Sequence, residues 1–93
     1  MDEIPDILAL FTTGQVDGFH AGVRLSVIIV ESAQFQLSPP EIEAIETFVE
    51  RLLSGLKSNE LDLDAAISRL VSACRAAAVD KRQFHSTLQA DND

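Results

Sequence analysis

The spacing of apolar residues along the chain predicts helices almost throughout. Between residues 39 and 56 apolar side chains recur every three or four positions, which is the period of one helix face. The residues on this expected buried face are Ile42, Ile45, Phe48, Val49, Leu52, Leu53 and Leu56. We therefore expect a helix over residues 39–54, ended by Gly55.

The start of this helix carries the clearest local signal in the chain. Ser38 and Glu41 have the spacing of a capping box, in which each side chain binds a free backbone N–H of the first turn. Pro39 suits the first helical position because its φ angle is already helical.

Two more helices are predicted towards the end of the sequence. Asp62 or Asp64 can cap a helix over residues 63–78. Its apolar face would consist of Leu63, Ile67, Leu70, Val71, Cys74 and Ala77 or Ala78. Asp80 can cap a short helix over residues 81–89 with Phe84 and Leu88 on one face, although the preceding helix could instead continue. Residues 90–93 are predicted to be a frayed polar tail.

A short first helix is expected over residues 4–13. Pro5 would occupy its first position, and acidic residues around it favour the positive end of the helix dipole. Gly14 can adopt the left-handed conformation that ends a helix.

The segment from residue 18 to 33 is compatible with a strand or a helix. Its apolar and β-branched residues partly alternate with polar ones, as in a strand. Asp17 as an N-cap and the four-residue repeat of Gly18, Gly22 and Ser26 favour a helix, with the small residues lining a shallow groove for another helix. We expect a central, buried helix that runs through Phe19, Val23, Val27 and Val30.

Together these elements predict an all-α fold, a compact bundle of four to five helices in one domain. The chain has 93 residues, which is enough for one hydrophobic core. Apolar residues make up 46% of the sequence and aromatic residues only 5%, so aliphatic side chains must fill that core.

The net charge of −8 changes the range of expected partners. An acidic chain repels phosphate backbones and anionic lipids, so we expect neither direct nucleic-acid binding nor membrane binding. The same charge favours a basic protein partner, although acidity also serves solubility. The absence of a signal-peptide pattern and the single Cys74 predict a cytoplasmic protein. Apolar runs such as residues 27–30 are far too short to span a bilayer.

The sequence predicts no catalytic, metal or cofactor site. Asp17 and His20 are explained by a helix cap beside an exposed histidine, and His85 is expected at the surface rather than as a ligand. Cys74 lies on an apolar face, where burial raises a thiol pKa and disfavours nucleophilic chemistry. No serine has a nucleophile-elbow setting, and no glycine-rich phosphate loop is present.

Four charged residues are candidates for an interaction surface. Glu43, Glu46 and Glu50 share one helix face, where they could bind a cation or a basic partner or remain solvated. Arg24 interrupts an apolar helix, so it either extends to solvent at the helix edge or marks a contact, with Glu31 or the acidic face as its partner.

Residues 27–41 resemble the central hairpin of the tellurite-resistance TerB-like helical family. There an apolar helix runs into Ala-Asp-Gly-x-Ile-Ser-Pro-x-Glu and the next helix. The matching positions here are Ala33, Leu37, Ser38, Pro39 and Glu41. Gln34 and Phe35 occupy the places of the Asp-Gly pair, which in the family supplies a carboxylate linked to metal binding. The resemblance implies an all-helical bundle without that metal site, of which Glu41 is the remaining acidic position, and a stress-related or interaction role.

Three functions remain as hypotheses. The first is a non-enzymatic protein–protein interaction module, because apolar residues are abundant and reactive groups do not converge. Such a module could be stress-related and could self-associate. The second is a small acidic inhibitor, such as an immunity or anti-defence protein, that occupies a basic surface of a partner protein. The third is a degenerate TerB-like domain that binds a divalent cation through Glu41 and neighbouring carboxylates.

Overall fold

The structure is a computed structural model that describes residues 3–90 of the chain. This range contains five helices and no strand, so the predicted all-α bundle is confirmed. The helices are α1 (Glu3–Thr12), α2 (Gly18–Ser32), α3 (Pro39–Lys57), α4 (Leu63–Val79) and α5 (Lys81–Ala90). Residues 91–93 of the predicted frayed tail lie outside the described residues, and Ala90 belongs to α5.

Aspartate caps begin three of the helices. Asp17, Asp62 and Asp80 each accept a hydrogen bond from the backbone N–H three residues later, at 2.8, 2.7 and 2.7 Å. These bonds satisfy donors that a helix leaves free in its first turn. The predicted cap of α2 is confirmed, Asp62 rather than Asp64 caps α4, and the predicted break before α5 is real.

A residue in the left-handed conformation follows the last turn of both α1 and α3. Gly14 has a φ of 82° and Asn59 a φ of 64°, and in each case the next N–H bonds back to a carbonyl five residues earlier. The prediction for Gly14 is confirmed, whereas the predicted end of α3 at Gly55 is wrong. Gly55 lies inside the helix, and its lack of a side chain lets Leu61 pack on it after the turn: a Cβ at Gly55 would lie 3.2 Å from the Cβ of Leu61.

The start of α1 also differs from the prediction. The helix begins at Glu3, so Pro5 lies within the first turn and is not its first residue. A proline is tolerated there because first-turn N–H groups have no partner within the helix.

The strand alternative for residues 18–33 is wrong, and so is the expectation that α2 is buried all round. The helix packs against α1, α3 and α4 through Ala21, Leu25 and Ile29, which are fully buried. The opposite face is exposed because no helix covers it within residues 3–90. The exposed apolar residues on that face are Phe19, Val23, Val27 and Val30.

The other helices bury most of their predicted apolar faces. Six of the seven residues expected on α3 are buried, but Ile42 is exposed. On α4, Leu63 and Ala78 are exposed at the two ends. Phe84 and Leu88 anchor α5, as predicted. The shared core is built mainly from aliphatic side chains of all five helices.

No helix among residues 3–90 has the length and apolar character needed to cross a membrane.

Candidate functional site

The exposed face of α2 forms one wall of a groove whose other wall is α3. We call the apolar residues Phe19, Val23, Val27 and Val30 the α2 stripe, and the concavity beside them the α2–α3 groove. The groove has a volume of about 330 Å³ and is open to solvent. Its lining residues are Gly18, Phe19, Gly22, Val23, Ser26, Val27, Val30, Ile42, Ile45, Glu46 and Glu50.

Small residues of α2 give the groove its floor. A Cβ built at Gly22 would meet the Leu53 and Val49 side chains of α3 at 3.8 and 4.0 Å, so the two helices pack closely at this point. Ser26, one turn on, is half-buried and also short. The predicted role of the small-residue repeat in shaping a shallow groove is therefore confirmed, although within residues 3–90 no third helix enters it.

The exposed fractions of the stripe residues are large for apolar side chains. Phe19 is 75% exposed, Val23 49% and Val27 47%, while Ile42 faces them from α3 at 41%. Single exposed apolar residues are common on soluble proteins, but a contiguous set beside a concavity is typical of a binding surface.

Carboxylates border the groove on the α3 side. Glu46 and Glu50 line it, one helical turn apart, and neither carboxylate makes a hydrogen bond or ion pair within residues 3–90. They are the only charged residues among the described ones that line the groove. The structure thus places two of the four predicted interaction residues beside the apolar stripe.

The other two candidates lie elsewhere. Glu43 is exposed and borders a separate depression between α3 and α5. Arg24 is exposed on α2 and, among the described residues, pairs neither with Glu31 nor with the acidic residues of α3. Its long side chain therefore extends to solvent, which is the first of the two alternatives given by the sequence.

A second unusual feature is the buried carboxylate of Glu41. One oxygen accepts hydrogen bonds from the N–H and the hydroxyl of Ser38, at 2.9 and 2.8 Å. The other lies 2.6 Å from Nε2 of His85 on α5, and Nζ of Lys81 is 3.7 Å from the first oxygen. We call these four residues the Glu41 cluster.

Electrostatics hold the Glu41 carboxylate in its charged form. The hydrogen bond from the Ser38 N–H and the one from His85 lower the pKa of Glu41 from its ordinary value of 4.5 to about 2, against the opposing effect of burial. Lys81 adds a positive charge and lies 5.9 Å from the centre of the Phe35 ring. The cluster therefore links α5 to the first turn of α3 and to the segment before it.

The Glu41 cluster does not have the arrangement of a catalytic triad. In a triad the hydroxyl bonds the imidazole, and the carboxylate bonds the second ring nitrogen. Here both Ser38 and His85 bond the carboxylate itself. Cys74 is fully buried and its pKa is raised by burial, as the sequence predicts.

The described residues also do not form an arrangement that could hold a metal ion. No group of three or more His, Cys, Asp or Glu side chains converges there. Both oxygens of Glu41 already accept hydrogen bonds from the chain. Phe35 packs edge-on to Phe84 at 5.7 Å between ring centres and so belongs to the structure that holds α5.

His85 was predicted to be a surface residue, and its contact with Glu41 was missed. The side chain is indeed half exposed, but its ring reaches across to α3. The two residues are 44 positions apart, so no local spacing connects them. Exposure of the α2 stripe was missed because apolar periodicity does not show which face has a neighbour.

Comparison with protein families, curated proteins and solved structures finds no match to this chain. The resemblance to the TerB-like family stays a prediction that rests on residues 27–41.

Proposed function

We propose that this protein is a non-enzymatic protein–protein interaction module whose docking surface is the α2–α3 groove. The observation that carries the proposal is the exposed α2 stripe, in which Phe19, Val23 and Val27 each leave about half or more of their surface to solvent. Burying such surface against a partner is favourable because apolar area leaves water.

The shape of the groove supports protein binding more than small-molecule binding. It is an open trough along a helix, with apolar walls and two carboxylates on one side. Small-molecule sites bury most of the surface of their ligand in a cleft or cavity, which an open trough does not do. The polar groups around Glu41 lie outside the groove and satisfy each other.

Paired valine substitutions test this function. Val23→Asp together with Val27→Asp places charges in the middle of the stripe, where a docked apolar surface would have to desolvate them. Val79→Asp is the matched control, since Val79 is a 61% exposed valine on α4 and does not line the groove.

The measurement is affinity capture with mass spectrometry at low and high salt, alongside sedimentation and circular dichroism of the purified variants. We expect the wild type and Val79→Asp to retain the same partner, or the same self-associated state, and the double variant to lose it while remaining helical. A partner that all three proteins retain equally would contradict the proposal. So would a monomer that retains no partner.

A further inference from the structure

The length of the groove matches a helix of about three turns. From Phe19 to Val30 the stripe spans eleven positions, which at 1.5 Å per residue is about 16 Å. Its members recur at intervals of four, four and three residues, so they form a straight apolar ridge beside the short side chains of Gly22 and Ser26. A partner helix with apolar residues at the same intervals can pack along this ridge.

The charges beside the groove are of one sign. Glu46 and Glu50 are about 6 Å apart along α3, the rise of four helical residues. Their mutual repulsion is not relieved by a cation from the described part of the chain. Lysine or arginine residues one turn apart on a partner helix would relieve it and would fix the orientation of that helix.

A second copy of this chain fits the groove less well than a basic helix. It would bring a further net charge of −8 and its own carboxylates beside the same stripe. Like charges facing each other across an interface oppose binding.

Resting on the proposed function, we infer that the α2–α3 groove binds an amphipathic helix of a partner protein that carries basic residues along the edge facing Glu46 and Glu50. The apolar face of that helix packs on the α2 stripe and Ile42. Its basic residues pair with the two carboxylates. Apolar contact supplies most of the affinity, and the carboxylates select the partner.

Two synthetic peptides serve as probes. Each has about 18 residues, enough for a stable amphipathic helix in the groove, with leucines every third or fourth position. One carries lysines beside the leucine face, and the other carries glutamates at the same positions. Binding of labelled peptide to the full chain is measured by fluorescence anisotropy at low and moderate salt.

Charge reversal on α3 provides the decisive variant. Glu46→Lys with Glu50→Lys should weaken binding of the basic peptide about tenfold and allow the acidic peptide to bind instead. Glu43→Lys is the matched control, because it makes the same change on the same helix outside the groove. That variant should keep the preference of the wild type for the basic peptide, and Val23→Asp with Val27→Asp should bind neither peptide.

Several results would overturn the inference. Equal binding of both peptides to the wild type would show that Glu46 and Glu50 do not select the partner. Binding of neither peptide, or a stripe-dependent homodimer that excludes the basic peptide, would show a different occupant. The proposed function is tested separately, by the double variant of Val23 and Val27. It is supported if that variant loses the captured partner or self-association, whatever the peptides do. It fails if that loss is not seen.

Discussion

The Glu41 cluster and the α2–α3 groove meet at the start of α3. They depart in opposite ways from the rule that apolar residues are buried and charged residues are exposed. Glu41 is charged and only 7% exposed, whereas the next residue, Ile42, is apolar and 41% exposed. The buried carboxylate finds its partners within the chain, in Ser38, His85 and Lys81. The exposed apolar surface around Ile42 has no covering helix within residues 3–90.

This difference separates a structural feature from the surface that we propose for recognition. Where the chain itself satisfies an unusual residue, folding is a sufficient explanation for that residue. Where an unusual surface stays uncovered within residues 3–90, folding does not explain it, and we propose that a partner does. Substitutions in the Glu41 cluster should therefore change stability, and substitutions in the α2–α3 groove should change binding.

The largest expected effect compares the two faces of α2. Leu25→Ala should lower the free energy of unfolding by about 2–5 kcal/mol, because Leu25 is fully buried and the substitution leaves a cavity. Val23→Ala should lower it by less than about 0.5 kcal/mol, because the side chain is already half exposed. Urea denaturation followed by circular dichroism measures both. A similar loss from the two variants would mean that the stripe belongs to the core.

The next effect concerns the Glu41 cluster. Glu41→Gln should lower the free energy of unfolding by about 1–3 kcal/mol near neutral pH, since the charged hydrogen bonds to Ser38 and His85 are weakened. Glu43→Gln is the control, because it makes the same change at an exposed position on α3 and should cost less than about 0.5 kcal/mol. Peptide binding to either variant should equal that of the wild type. Loss of peptide binding in Glu41→Gln would show that the Glu41 cluster and the α2–α3 groove are not independent.

The difference in stability between the wild type and Glu41→Gln should depend on pH with a defined sign. The pKa of Glu41 is lower in the folded protein, at about 2, than its ordinary value of 4.5. A lowered pKa means that the charged carboxylate stabilises the fold above about pH 4.5 and that this stabilisation is lost as the pH falls towards about 2. Urea midpoints of the wild type and Glu41→Gln should therefore converge between about pH 4.5 and pH 2. A constant gap over that interval would contradict the role given to the charge.

The smallest expected effect is that of Arg24. Arg24→Ala should change the free energy of unfolding by less than about 0.5 kcal/mol, because the side chain is exposed and has no ion pair among the described residues. It does not line the α2–α3 groove, so affinity for the basic peptide should stay within about twofold of the wild type. A larger loss of binding would extend the docking surface to the other edge of α2.

Local interactions explain why the sequence predicts most helix boundaries well. The caps of α2, α3 and α5 each join residues three positions apart, so the residue types that form them stand together in the sequence. The left-handed Gly14 is equally local, because only the backbone conformation of one residue is involved.

Gly55 shows where a local signal is ambiguous. A glycine near the end of an apolar pattern is typical of a helix terminus. Here its small size instead makes room for Leu61, whose position depends on the turn that follows α3. Asn59 takes the left-handed conformation in its place, which asparagine tolerates better than most residues.

The candidate site could be predicted only in part. Hydropathy identified the residues of the α2 stripe as apolar, and the glycine repeat predicted a groove. Whether a neighbour covers them depends on how the four other helices are arranged around α2, which periodicity does not encode. The contact between Glu41 and His85 was unpredictable for the same reason, since it depends on the direction of α5 relative to α3.

The composition of α2 has a consequence for the behaviour of the protein at high concentration. Residues 25–30, Leu-Ser-Val-Ile-Ile-Val, carry no charge, and the last four of them are β-branched apolar residues in direct succession. Such a segment forms intermolecular β-sheets when it is extended, and helix formation in α2 keeps its backbone N–H and C=O groups paired within the chain. A ligand that binds only the helical form lowers the extended population by mass action. The partner that recognises this helix would thereby also protect the protein from aggregation.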